Sequence, residues 1–160
     1  MLKELEPIAA KLNESSALLA QTLDRLTDAQ VTQLSVNPEW SVKDTVAHLV
    51  GAKRGMTRLA QRFAAGEAPK LPADYDNNYF NARQVAKRQA MSLADVRAEF
   101  GTAHQELLAF LESVTAPQLE LRGEHPIAGD IPLKDLLVVI YNHETQHCKE
   151  IAEKIRELKN

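Results

Sequence analysis

Apolar side chains three and four residues apart recur along four stretches of this 160-residue chain, a spacing that helices bury by packing side by side. Between Leu2 and Leu26, Leu5, Leu12, Leu19 and Leu26 keep a heptad interval, and Ile8 and Leu23 fill the alternate turns. The second stretch runs through Val46, Leu49, Val50, Met56, Leu59 and Phe63. Ser41-Val42-Lys43-Asp44 opens it as a capping box, and Gly66 is a natural stop. Leu93, Val96, Phe100, Ala103, Leu107, Phe110 and Val114 form the third stretch, capped by Ser92. The fourth opens near Pro132 and continues to about Leu158.

The connections carry less pattern. Thr27-Asp28 and Asn37-Pro38 bracket a short link with room for one helical turn from Ala29 to Leu34. Glu67 to Asn77 contains Pro69 and Pro72 and is too long for a tight helical hairpin, which suits a crossover, a pocket rim, or both. A shorter, basic helix is predicted from Asn78 to Met91, and Pro117 to Pro132 reads as a loop. No segment reads as a strand. The expected fold is all-α: one domain over residues 1–160, a four-helix bundle with an additional short helix in the connection between helices two and three.

A net charge of -3 and a pI near 6.0 remove the counterion-release argument for nucleic-acid binding. No apolar run approaches the roughly 18 residues of a membrane span. The single cysteine, Cys148, and the absence of a signal-like opening at Met1 predict a soluble, cytoplasmic protein.

The chemistry lies in the histidines. The fourth stretch has a seam of Leu133, Leu136, Ile140, His143, His147, Ile151, Ile155 and Leu158, with two imidazoles where aliphatic side chains are expected. Residues four apart lie one turn above the other on a helical face, so both rings can address one spot. Five histidines in 160 residues produce such a pair by chance roughly one time in eight, so the spacing alone is weak evidence. Its place on a core seam weighs more, because buried ring nitrogens need partners.

His48 lies about two turns into helix two, near Ala52 and Gly55, whose small side chains leave room. Alone it reads as a core or boundary histidine. With His143 and His147 it completes three neutral nitrogen donors and leaves a coordination position open for water or substrate. Imidazoles accept zinc, nickel, copper and iron alike.

His143-Glu144-Thr145-Gln146-His147 also fits the H-E-x-x-H pattern of zinc peptidases, but the continuation Cys148-Lys149-Glu150-Ile151 lacks the metzincin extension. Only 13 residues follow His147, too few for the separate ligand helix of the other peptidases. Glu144 is a candidate general base or a group supporting the metal, with an ordinary solvated glutamate as the alternative.

Trp40-Ser41-Val42-Lys43-Asp44, then Ala47-His48-Leu49, then Asn142-His143 through His147 resemble the DinB-like (DinB/YfiT-like) metalloenzyme family, over essentially the whole chain. The resemblance implies a four-helix bundle, often dimeric, whose metal triad corresponds to His48, His143 and His147 and holds zinc or nickel. It also implies chemistry with low-molecular-weight thiols in some members. One such member, the mycothiol-dependent maleylpyruvate isomerase, carries a further C-terminal domain, and with this sequence ending at Asn160 the likeness is not expected to extend to that activity.

Trp40 and His104 are candidate walls of a substrate pocket, each with a plain packing role as its alternative. Asn77, Asn78, Asn81 and Arg83 suit a pocket mouth, and Arg83, Lys87 and Arg88 suit an anionic ligand or a solvated face. Cys148 is turned about 100 degrees from His147 around the helix and is not expected to ligate. The expected function is a metal-dependent enzyme acting on a small molecule, by thiol transfer or by hydrolysis. The competing expectation is a non-catalytic metal-binding or stress-response protein that assembles as a homodimer through its bundle faces.

Overall fold

The structure, a computed structural model, describes residues 1–157. A 3-10 turn at Lys3–Leu5 leads into helix α1 (Glu6–Leu23), with Pro7 in its first turn. Helix α2 (Asp28–Gln33) is the predicted connector turn, opened by a Thr27–Gln30 capping box. Helix α3 (Val42–Ala64) starts on the expected Ser41–Asp44 box: Ser41 Oγ accepts from Asp44 N at 3.1 Å, and Asp44 Oδ2 accepts from Ser41 N at 3.0 Å. It ends at Gly66, whose φ of 73° is the left-handed stop that glycine takes without steric cost.

Helix α4 (Asn77–Ala86) is shorter than predicted, capped by Asp76 and followed by turns through Met91. Helix α5 (Leu93–Ser113) begins at Ser92 as expected. The final helix, α6 (Leu133–Glu157), reaches the limit of the described residues, and Leu158 lies outside them.

One expectation fails. The segment predicted as a strandless loop contains strand β1 (Arg122–His125) paired antiparallel with strand β2 (Gly129–Pro132), so Pro132 ends a strand and Leu133 opens the helix. Four-residue strands are too short to display alternation in sequence, and Gly123, Pro126 and Gly129 read locally as loop punctuation.

Helices α1, α6, α3 and α5 pack in that order around a ring and make the four-helix bundle, with α4 laid on α3. The close approach of α4 depends on glycine. A Cβ at Gly51 would fall 2.5 Å from Gln84 Cβ, and one at Gly55 would meet the Phe80 ring at 3.3 Å. No described helix is long and apolar enough to cross a membrane.

The core comes in two apolar clusters. One is built around Leu5, Leu12, Phe63, Leu107, Leu136 and Ile140, the other around Leu19, Val46, Val50, Phe100, Cys148 and Ile151. Each bundle helix contributes a buried polar side chain to one linked group: Ser15, Lys53, His104 and Glu144. Lys53 Nζ lies 2.6 Å from Glu144 Oε2 and 3.2 Å from His104 Nδ1, and the Ser15 hydroxyl donates to Glu144 Oε1 at 2.8 Å. His104 Nε2 faces Asn13 Oδ1 at 2.9 Å, so the neutral ring donates outward and accepts from Lys53.

Candidate metal centre

His48 of α3 and His143 and His147 of α6 meet on the flank of the bundle, their ligating atoms all within 4.8 Å of one another. The rings stand edge to face, with centroids 5.0 Å apart for His48–His143, 5.1 Å for His48–His147 and 4.7 Å for His143–His147. The two α6 histidines are half-buried, whereas Glu144 and Cys148, each one residue further on, face the core. The sequence seam is therefore displaced by one residue: the imidazoles occupy the edge of the buried face, beside α3, rather than its centre.

The surroundings orient the rings. Trp40 stacks on His48 at 4.6 Å between centroids, and its backbone is held by Asn37 Oδ1, which accepts from Glu39 N and Trp40 N at 2.9 Å each. His147 Nδ1 donates to Glu150 Oε2 at 2.7 Å, which leaves Nε2 as the lone-pair donor.

Electrostatics matches a ligand set. Burial, reinforced by the neighbouring imidazoles, pushes His48 down to about 3, and burial with His147 beside it pushes His143 down to about 4. Both rings are therefore neutral at physiological pH, the form in which imidazole ligates. His48 Nε2 and His143 Nε2 lie 3.0 Å apart. Adjacent donors of a tetrahedral centre with Zn–N of 2.0–2.1 Å lie about 3.3 Å apart, so the set fits a divalent ion with small adjustment. His48 Nδ1 is sealed without a hydrogen-bond partner, so Nε2, the nitrogen that faces His143, is the one placed to ligate. Among the described residues no Cys, Asp or Glu joins the three histidines as a fourth donor.

A cavity of about 380 Å³ opens against His48 and His143. Ala52, Gly55 and Met56 of α3 and Val139 of α6 line its inner side, and Tyr75, Asn77, Phe80, Asn81 and the hairpin turn line the outer side. The loop before α4 and the hairpin are joined: Glu124 N donates to Pro69 O at 2.9 Å and Leu71 N to Glu124 Oε2 at 2.8 Å. The stretch expected to be a crossover, a pocket rim, or both therefore serves as a rim.

The other sequence candidates fall elsewhere. Glu144 is buried against Lys53 and Ser15, not solvated and not on the cavity wall. His104 belongs to the same interior layer, and Trp40 touches the centre through His48 rather than lining the cavity. Asn77 and Asn81 do line it. Arg88 is buried in an ion pair with Glu99, Nε to Oε2 at 2.6 Å, and Arg83 and Lys87 are exposed. Cys148 is buried, with its thiol pushed up to about 12 by burial, which leaves it inert as a nucleophile.

Sequence reasoning missed His125. It sits at the end of β1, buried, on the cavity wall, and its Nδ1 accepts from Ile127 N at 3.3 Å and Ala128 N at 3.1 Å. A single histidine in a Pro/Gly loop gave no periodic signal, and only pairing of the two strands carries it to the site.

A family model described as the DinB superfamily matches residues 11–151. The uncharacterized protein YuaE of Bacillus subtilis (strain 168) is 22% identical over 155 residues, covering 89% of this chain and 96% of its own. Among solved structures, YfiT from Bacillus subtilis superimposes with a TM-score of 0.80 at 22% identity, covering 99% of this chain and 90% of that one. It is described as a probable metal-dependent hydrolase with an unusual four-helix bundle topology. The mycothiol-dependent maleylpyruvate isomerase gives a TM-score of 0.78 at 13% identity over 94% of this chain, which spans 63% of the isomerase. At these identities the structural likenesses establish the bundle fold.

Proposed function

The chain belongs to the DinB superfamily, and from that premise we propose that it is a metal-dependent enzyme that hydrolyses a small substrate at a centre formed by His48, His143 and His147. The observation that carries this reading is the convergence of three imidazoles from two helices, without a fourth protein donor among the described residues, against a cavity of about 380 Å³. A structural metal site is closed by protein ligands, whereas a catalytic one keeps a position for water or substrate.

A divalent ion in this position, with zinc or nickel preferred, supplies a Lewis acid that brings a bound water or thiol toward its nucleophilic form near neutral pH. The chain's own part is positional. Glu150 fixes the His147 tautomer, Trp40 fixes the plane of the His48 ring, and the apolar walls exclude bulk water around the reacting group. Water is preferred to a charged thiol as the attacking group because no Lys or Arg lines the cavity.

The test compares zinc-loaded, nickel-loaded and chelator-treated protein on small neutral esters and amides, and on epoxides with and without an added small thiol. Metal-dependent ester or amide turnover that disappears in His48→Ala is expected. Turnover only in the presence of thiol would move the nucleophilic role from water to thiol. Metal binding without turnover of any kind would leave the non-catalytic binding reading in its place.

A further inference from the structure

His125 has its two ring nitrogens in different environments. Nδ1 accepts from two backbone N–H groups of the hairpin turn, Ile127 at 3.3 Å and Ala128 at 3.1 Å, so it cannot carry a proton without losing both bonds. The proton of the neutral ring therefore sits on Nε2. That N–H has no partner among the described residues, and it is not one of the sealed polar atoms, although the residue as a whole is 8% exposed. Burial lowers the ring's basicity, consistent with a neutral donor.

The chamber around it is mostly apolar. Leu59, Leu71, Phe80, Ile127 and Val139 contribute its walls, and no Lys, Arg, Asp or Glu lines it. Away from the three-imidazole centre, a charged group would lose its hydration against these walls without a counter-charge. An unpartnered donor in such a chamber selects for an acceptor, because leaving it unpaired when water is displaced is costly. Ile127, 81% exposed at the hairpin tip, gives the entrance an apolar lip.

We infer that the cavity takes a compact, uncharged, mainly apolar molecule bearing a hydrogen-bond acceptor, and that the Nε2–H of His125 holds that acceptor. The inference rests on the proposed function only in taking this cavity as the substrate chamber.

Acetophenone, ethylbenzene and benzoate are probes of similar size with a neutral acceptor, none, and a charged one. Their binding can be followed by NMR at the Ile127 methyl groups, in zinc-loaded and zinc-free protein. Acetophenone is expected to bind about threefold to tenfold more tightly than ethylbenzene, the worth of one hydrogen bond. In His125→Asn, whose Oδ1 can take over the turn contacts of Nδ1, that preference should vanish while melting temperature and zinc content stay unchanged. An equal preference in the variant would overturn the assignment, as would tighter binding of benzoate than of acetophenone to the zinc-free protein.

Should the variant melt early, ring ¹⁵N spectra of the wild type decide. A proton on Nε2 of His125 whose resonance moves with acetophenone and not with ethylbenzene supports the inference, and a proton on Nδ1 refutes it. Failure of the metal reading would register as missing zinc and leave the acetophenone preference intact. Failure of this inference would abolish the preference and leave zinc content untouched.

Discussion

Lys53 and Glu144 are each 2% exposed, with Nζ and Oε2 2.6 Å apart inside the bundle. Burial pulls the Lys53 ammonium below its ordinary pKa, and the Glu144 carboxylate opposes that pull. Either partner alone would be an unpaired charge in a dry interior. Lys53→Met or Glu144→Gln should therefore cost about 3–5 kcal/mol, whereas Lys53→Met combined with Glu144→Leu should recover most of that loss, short of about 1 kcal/mol for the His104 Nδ1 left without its donor. For a domain of this size about 2–4 °C accompanies each kcal/mol, so the single variants should melt roughly 6–20 °C lower and the double variant close to the wild type. Urea titration with matched m-values gives the free energies. The pairing argument is refuted if the single changes cost under about 1 kcal/mol, or if the double variant is as unstable as the worse single.

Three further outcomes follow from the same contacts. Glu150→Gln removes the carboxylate that orients His147 and should weaken zinc affinity about 10–100-fold by competition titration; an unchanged affinity would leave Glu150 without that role. A Cβ at Gly123 would fall 2.3 Å from Phe63 Cε1, so Gly123→Ala should destabilise by about 1–3 kcal/mol in thermal melts. Burial, with the Lys53 ammonium adjacent, holds the His104 ring down at about 4 against its ordinary 6.5. Between those values the unfolded chain takes a proton that the folded ring refuses, so this contribution is intact above pH 6.5 and is lost as the pH falls toward 4. The drop in melting temperature from pH 7 to pH 5 should therefore shrink in His104→Gln, and an equal drop would assign the acid sensitivity to other groups.

The helices were legible because their apolar spacing and their caps at Ser41 and Ser92 are local signals. The meeting of His48 with the α6 pair followed from short motifs across 95 positions, whereas Trp40, expected on a pocket wall, packs on the His48 ring instead. What stayed hidden depended on partners distant in sequence. Lys53 reads as an ordinary helix lysine until Glu144 arrives beside it, and Glu144 reads as a surface or metal-site residue until α1 brings Ser15. The one-residue displacement of the α6 seam has the same origin. Cys148 and Glu144 fill the buried line, and nothing in the spacing of His143 and His147 reveals that the core admits a charged pair one residue away. His125 reaches the chamber through a hairpin whose strands are four residues each, below the length at which alternation can be read.

Metal content per chain, measured by mass spectrometry after loading with zinc and exhaustive dialysis, bears most directly on the three-imidazole centre. About one equivalent is predicted for the wild type and far less for His48→Ala, with the helical circular dichroism of the two unchanged. A His48→Ala protein that keeps its full equivalent of zinc would contradict the assignment of that ring to the centre.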